Sequence, residues 1–533
     1  MAWSDALVNV LLLPFTAGNS RTVRNRPVHL DGTTSTVVIS IVFTSLLLLL
    51  VKAMIDQENT LLSFAGTIGF LSVVVSFGLL SCVAVIIVIK VKGFHSILDP
   101  RQDVASSRLQ KIVLWGFGMV SVTFCFLKSG HLVECIDILD NAPIMECVFY
   151  VIILVFLPVQ ILLLTYLTPY RFKRSVRIQY TILLMLASNI TMWVYSLMTH
   201  DQEHSHANPR NVTWNTNCTN KTFTHMLYVS EKILSPIFLE YSMLAITMTH
   251  NLSVKWETYN ERSENTILET HSLTETSKST VDEGESDDRS VPINAETPLL
   301  SGLSKVSPGP VQRTDRKTFL FYVVLMLYGL LSVSIFIGYI VRVTVPSEMQ
   351  QKWIASLELV ISIMMAICTF YGYHLVARDT NPPFKSDPIS GGEYVFIISA
   401  VGTMISCTFS VMTSLKSLKT PNYVFAVSRG IFGTLSYLQT VLILHASRCS
   451  PKHHCRNKAS LKRTLLLLSL YNLGAWIIES FILGSFPSLR SAEKQLLGQA
   501  LLEINYKVCH PMNVFFRFAS ALELYELYKK YGG

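Results

Sequence analysis

Residues 62–90 read LSFAGTIGFLSVVVSFGLLSCVAVIIVIK, with no charged side chain before Lys90. At 1.5 Å per residue, a helix of this length is about 40 Å long, and a bilayer core of roughly 30 Å needs about 20 apolar residues to cross it. Eleven further stretches have the same character, near 36–54, 110–130, 144–168, 177–198, 229–250, 318–341, 354–377, 394–415, 423–446, 463–485 and 501–528. The first follows Arg21, Arg24 and Arg26, too deep in the chain for a cleaved leader. Lys507, His510 and Arg517 interrupt the last. Half of the 533 residues are hydrophobic and only 15% are charged. The chain therefore reads as an all-α polytopic membrane protein with twelve transmembrane helices.

The positive-inside rule orients it. With a cytosolic N-terminus, the inner segments hold 22 Lys and Arg, leaving out the long central linker, and the outer loops about a dozen. Three N-glycosylation sequons, at Asn211, Asn217 and Asn220, crowd the loop between spans five and six, which the charge count places outside. Both termini are then cytosolic in a multi-pass plasma-membrane protein. The formal charge of +8 resides in short clusters between apolar runs, suited to anionic lipid and not to nucleic acid.

Residues 253–316 are rich in Ser, Thr and Glu, too polar to fold alone, and read as a disordered cytosolic linker. Within them Glu296-Thr-Pro-Leu299-Leu300 resembles an acidic dileucine sorting signal, which would add an endolysosomal address. The expected organisation is a cytosolic tail at 1–35, a six-helix half at 36–252, the linker, and a second six-helix half at 317–533. The halves repeat. Gln439 follows Gln160 by 279 residues, the Asn472/Trp476 pair follows Asn189/Trp193 by 283, and Pro511 follows Pro236 by 275. An even number of spans per half makes these parallel repeats, related by an axis along the membrane normal.

Polar side chains at membrane depth face a bundle interior or a water-filled cavity. Gln160, Asn189, Tyr241, Gln439 and Asn472 are neutral and can both donate and accept, so they can bond helices together and equally organise a water chain. The ionisable candidates are Glu134 and His131 at the end of span three, Glu240 in span six, Glu358 in span eight, and Arg517 and Glu523 in span twelve. A carboxyl held away from bulk water can take up and release protons near physiological pH. Glu523 is expected to pair with a cation or cap an interface, and His131 can sense external acid. His374 and His445 read as accessible side chains at span ends, and Gly391-Gly392 as a turn before span nine. Cys449, His453, His454 and Cys455 lie in a basic loop and not in a metal site. With no phosphate loop, zinc-protease helix or nucleophile elbow, neither an enzyme nor a cofactor is expected.

Several segments resemble the otopetrin family: Trp-Gly-Phe-Gly-Met (115–119) with Glu134, Ser188-Asn189 with Trp193, Ser-Pro-Ile-Phe-Leu-Glu-Tyr-Ser (235–242), and Pro511-Met-Asn-Val-Phe-Phe-Arg-Phe518 with Glu523. The resemblance implies a homodimer of twelve-helix subunits, each half a barrel-like bundle. It implies a proton-selective channel opened by extracellular acid and inhibited by zinc. It also implies a Gln–Asn–Tyr constriction in each half, here Gln160, Asn189 and Tyr241, and Gln439, Asn472 and Phe516. Leu184 stands where the family's fifth helix usually has histidine. Phe516-Arg517-Phe518-Ala519 stands where its twelfth usually reads Tyr-Arg-Phe-His. Both departures mark a divergent member. The rival reading is a proton-coupled transporter of the major facilitator type. Its Asp-Arg-x-Gly-Arg-like signature does not match Gly93-Phe-His-Ser-Ile-Leu-Asp-Pro100.

Overall fold

A computed structural model describes residues 30–31, 33–56, 64–93, 98–100, 107–134, 141–172, 176–199, 222–252, 255–256, 321, 323–325, 327–329, 348–381, 389–416, 420–451, 458–482, 501–502 and 504–531. The sequons and nearly all of the linker and N-terminal tail lie outside these residues. So do Cys455, His453 and His454, and most of the stretch at 318–341. The described chain is almost entirely helical. In order come α1 (Thr33–Asp56), α2 (Phe64–Lys92), α3 (Ser107–Glu134), α4 (Asn141–Leu167), α5 (Val176–Thr199) and α6 (Thr222–Asn251). After the linker come α7 (Glu348–Asp379), α8 (Gly391–Lys416), α9 (Thr420–Arg448), α10 (Lys458–Ile477) and α11 (His510–Lys530). A π-helical turn extends α10 over Ile478–Ile482, and another, Asn505–Cys509, leads into α11 just before Pro511. Pro158 and Pro236 lie inside α4 and α6 without ending them, as helices packed against neighbours tolerate.

Among the described residues, seven helices are long and apolar enough to cross a membrane: those over Ala65–Lys92, Leu109–Glu134, Ile144–Leu167, Ile178–Met198, Ala355–Asp379, Gly391–Leu415 and Tyr423–Arg448. The apolar part of α1, Thr36–Lys52, is shorter. The chain is thus a polytopic helical membrane protein.

Helix packing repeats on either side of the linker. In the first set α2 packs on α4 and α5, α3 on α4 and α6, and α5 on α6. In the second, α7 packs on α9 and α10, α8 on α9 and α11, and α10 on α11. Each pair in one list has its counterpart in the other. The short strand pairs follow suit. Leu98–Pro100 (β2) pairs antiparallel with Tyr170–Phe172 (β3), joining the loops after α2 and α4. Thr380–Asn381 (β5) pairs with Ser450–Pro451 (β6), joining the loops after α7 and α9. Their first residues stand 282 and 280 positions apart, within the spread of the sequence repeats. A third pair, Leu30–Asp31 (β1) with Lys255–Trp256 (β4), ties the entry of α1 to the exit of α6. Two residues of the expected linker are therefore ordered against the tail.

Small residues allow the closest approaches. A Cβ on Gly78 of α2 would stand 2.6 Å from the Ser188 Cβ of α5. Ser188 Oγ donates across that contact to the Val74 carbonyl at 2.9 Å, the kind of interface that small residues and hydroxyls build between membrane helices. Gly391 and Gly392 form the first turn of α8 and do not precede it. A Cβ there would press on His250 and Asn251 of α6, and the Gly392 N–H donates to Asn251 Oδ1 at 3.2 Å. This packs the end of α6 against the start of α8 at the seam between the two helix sets. Farther along, Phe117 of α3, Trp476 of α10 and Phe518 of α11 form an aromatic trio, with centroids 4.9 to 5.8 Å apart.

Candidate functional site

The first helix set places its polar residues in a neutral interior. Gln160, Asn189 and Tyr241 are all fully buried. The Tyr241 hydroxyl donates to Gln160 Oε1 at 3.1 Å, joining α6 to α4. Asn189 Nδ2 donates to the Met185 carbonyl one turn back at 2.9 Å. That leaves Gln160 Nε2 and Asn189 Oδ1 buried without a partner among the described residues. Orphan amide atoms of this kind cost about 1–3 kcal/mol each unless water meets them. Gly118 of α3 supplies the room for the ring: a Cβ there would stand 3.3 Å from it.

The second set is built differently. Gln439 and Asn472 are again fully buried, and Asn472 repeats the backbone bond of Asn189, to the Leu468 carbonyl at 2.9 Å. Gln439 Nε2 reaches Thr369 Oγ1 at 3.4 Å. The expected third member, Phe516, has no hydroxyl to offer and stacks on Phe396 at 5.2 Å. Beside these residues lies a buried charge cluster. Arg429 of α9 bridges Glu358 of α7 at 3.1 Å and Glu479, in the π-turn after α10, at 2.6 Å. Arg517 of α11 is 0% exposed. It reaches Asn472 Oδ1 at 3.4 Å and Ser436 Oγ at 3.3 Å, and lies 4.1 Å from the Phe432 ring centroid. Sequence reasoning picked Glu358 and Arg517 but missed Arg429 and Glu479. Both are ionisable residues inside apolar runs, so the rule that found the others could have found them.

Glu240 stands apart. It is buried on α6 at the seam and faces Trp476 of α10. Its Oε2 has no partner among the described residues, and no cation there pairs with it. Glu134 and His131 lie at the opposite end of α3 from the loop to α2. The Glu134 carboxylate accepts the N–H groups of Phe223 and Thr224 at 3.0 and 3.3 Å and so caps the first turn of α6. His131 Nδ1 lies 2.9 Å from Thr224 Oγ1. Lys128 and Glu231 add a 3.0 Å ion pair between the same helices. Among the described residues no cation pairs with Glu523, one of the two roles expected of it. Its charged neighbours are Glu393 and Glu526, and the nearby Arg448 bonds Glu393 at 3.1 Å. His374 and His445 are exposed. The described residues contain no cluster able to hold a metal ion.

A buried neutral network, and a carboxyl at the seam with no cationic partner among the described residues, are what the interior of a membrane channel or transporter holds. A family profile named Otopetrin matches residues 197–518, more than half of the chain. The chain belongs to the otopetrin family, a family of proton channels. The match takes in Glu240, Tyr241, Gln439, Asn472 and Phe516, whereas Gln160 and Asn189 precede it. No curated protein matches the chain.

Proposed function

We propose that the chain is a proton-selective channel opened by extracellular acid. The reading carries a twelve-span layout in two parallel six-helix halves, separated by the linker at 253–316. It also carries a homodimer in the plasma membrane with both termini cytosolic, glycosylation at Asn211, Asn217 and Asn220, and inhibition by zinc. The repeated helix packing and the repeated strand pairs support the two halves.

The observation that carries the function is the contrast between the two interiors. In the first half Gln160 Nε2 and Asn189 Oδ1 are unsatisfied neutral groups, as Gln439 Oε1 is in the second, but only the first adds a carboxyl at the seam, Glu240, with no cationic partner among the described residues. Such groups hold and constrict water without trapping an ion. In the second half Glu358 and Glu479 are both tied to Arg429, so proton uptake by either breaks an ion pair. Conduction therefore belongs to the first half and to the seam. Glu134 and His131, on the side expected to be external, link the ends of α3 and α6 and are placed to answer external acid.

Whole-cell recording with stepped external pH, and no added solute, tests the proposal. An acid-evoked, proton-selective current should appear, and Glu240→Gln or Asn189→Leu should reduce it sharply at unchanged surface expression. A current that requires a co-transported solute overturns the channel reading. Full currents from both variants remove the first half from conduction.

A further inference from the structure

His250 is the last ionisable residue of α6. It is 2% exposed, buried where α6 meets α1 and α8. Its Nε2 lies 3.5 Å from Ser40 Oγ. Ser40 donates its own proton to the Thr36 carbonyl at 2.7 Å, so it meets the imidazole as an acceptor, and the ring carries its proton on Nε2. The basic nitrogen, Nδ1, is then left without a partner among the described residues. It points at the first turn of α8, where a Cβ on Gly391 would stand 3.1 Å from it. Only a bare glycine admits the ring there. Beyond Ser40 the polar line continues: Thr36 Oγ1 accepts from Gln179 Nε2 at 3.1 Å. Thr36, Ser40 and Gln179 are buried and belong to the first two turns of α1 and the first turn of α5. The charge rule places the starts of α1, α5 and α8 and the end of α6 all on the cytosolic side.

Glu240 lies ten residues back on the same helix, about 15 Å away along its axis, and also faces the second half. The two ionisable groups thus divide the inner part of a roughly 30 Å membrane along one seam. We infer that His250 is the inner relay of a proton route along this seam, receiving protons at Nδ1 from water below Glu240 and releasing them from Nε2 toward Ser40, Thr36 and Gln179. In each passage a proton binds the bare ring nitrogen to give the imidazolium, the proton on the other nitrogen leaves to water at the Ser40 end, and a half-turn of the ring about Cβ–Cγ turns the remaining N–H toward Ser40 for the next passage. The inference rests on the channel reading above and extends it to a residue that reading does not use.

The test records acid-evoked current from the full-length chain at matched surface expression, measured by surface biotinylation. His250→Gln keeps a polar side chain but cannot pass a proton through a ring. It should lower the current by about a hundredfold, the lower end of what a positioned proton-transfer group contributes. Imidazole in the pipette should restore part of the current lost in His250→Ala, which a merely structural histidine would not allow. Wild-type current from His250→Gln, or loss without imidazole rescue in His250→Ala, overturns the inference while leaving the channel reading intact. If both variants are retained in the cell, Ser40→Ala decides: it removes the acceptor at Nε2, should lower the current, and overturns the inference if the current is full. A wild-type chain that reaches the surface and carries no current at any external pH overturns the channel reading, and the inference with it.

Discussion

Replacing Arg429 with methionine should cost the second helix set several kcal/mol of stability while leaving proton conduction measurable. Arg429 is 6% exposed and bridges Glu358 at 3.1 Å and Glu479 at 2.6 Å. With the effective dielectric of about 20 that suits such sites, Coulomb's law gives about 5 to 6 kcal/mol of attraction for each pair. Desolvation of three buried charges offsets most of that, which is why intact buried pairs add little net stability. Removing the cation alone is different. It strands two carboxylates in one apolar pocket, a change that costs about 3–5 kcal/mol in buried pairs of this kind. The triple variant Glu358→Gln, Arg429→Met, Glu479→Gln removes all three charges together and should recover most of the loss. Thermal unfolding of the detergent-purified protein, followed by size-exclusion chromatography, reads both effects. If the single variant melts with the wild type, or the triple variant melts with the single, the three residues do not act as one compensated unit.

Tyr241→Phe removes the hydrogen bond that joins Gln160 to α6 and leaves both Gln160 polar atoms without a partner among the described residues. It should lower stability by about 1–3 kcal/mol and reduce the acid-evoked current, and unchanged melting together with unchanged current would refute the assignment. Glu134→Ala uncaps two N–H groups at the start of α6, for which about 1 kcal/mol is the usual cost of a lost cap. Hydrogen exchange at Phe223 and Thr224 should rise in that variant and not in Ser230→Ala, which lies two turns farther along the same helix.

The membrane-crossing helices were legible because long uncharged runs such as 62–90 admit no other reading. Most of the described helices begin and end within about six residues of the expected spans, whereas α6 starts seven residues early, at Thr222, and α11 nine late, at His510, after a π-turn. The repeat was legible through Gln160/Gln439 and Asn189/Asn472, whose side chains all prove fully buried. What the repeat concealed is that equivalent residues do unequal work. Trp193 packs into the hydrophobic core of the first set, whereas Trp476, its counterpart, turns to the seam beside Glu240 and Phe117. Partners across the chain were not legible. Ser40 and His250 are 210 residues apart, and no local pattern links them. Nor could spacing reveal that Gly391 and Gly392 are glycines because α6 presses against the start of α8, a steric demand made by a distant helix.

Packing and chemistry have separated between the two helix sets, and this decides where protons can travel. The same five helix contacts recur in each, because apolar ridges and small residues fix how helices nest whatever the polar side chains are. The buried polar content is constrained only by the need for compensation, and the two interiors meet that need by opposite means. In the second set, a proton taken up by Glu479 would break a 2.6 Å ion pair and leave Arg429 half-compensated. The lost attraction disfavours that step. Neutral amides carry no such penalty: Gln160 and Asn189 can reorient around a passing proton and return. Glu240, free of any cation among the described residues, can be protonated without breaking a salt bridge. The charges that stabilise the second interior therefore hold Glu479 back from the proton exchange open to Glu240.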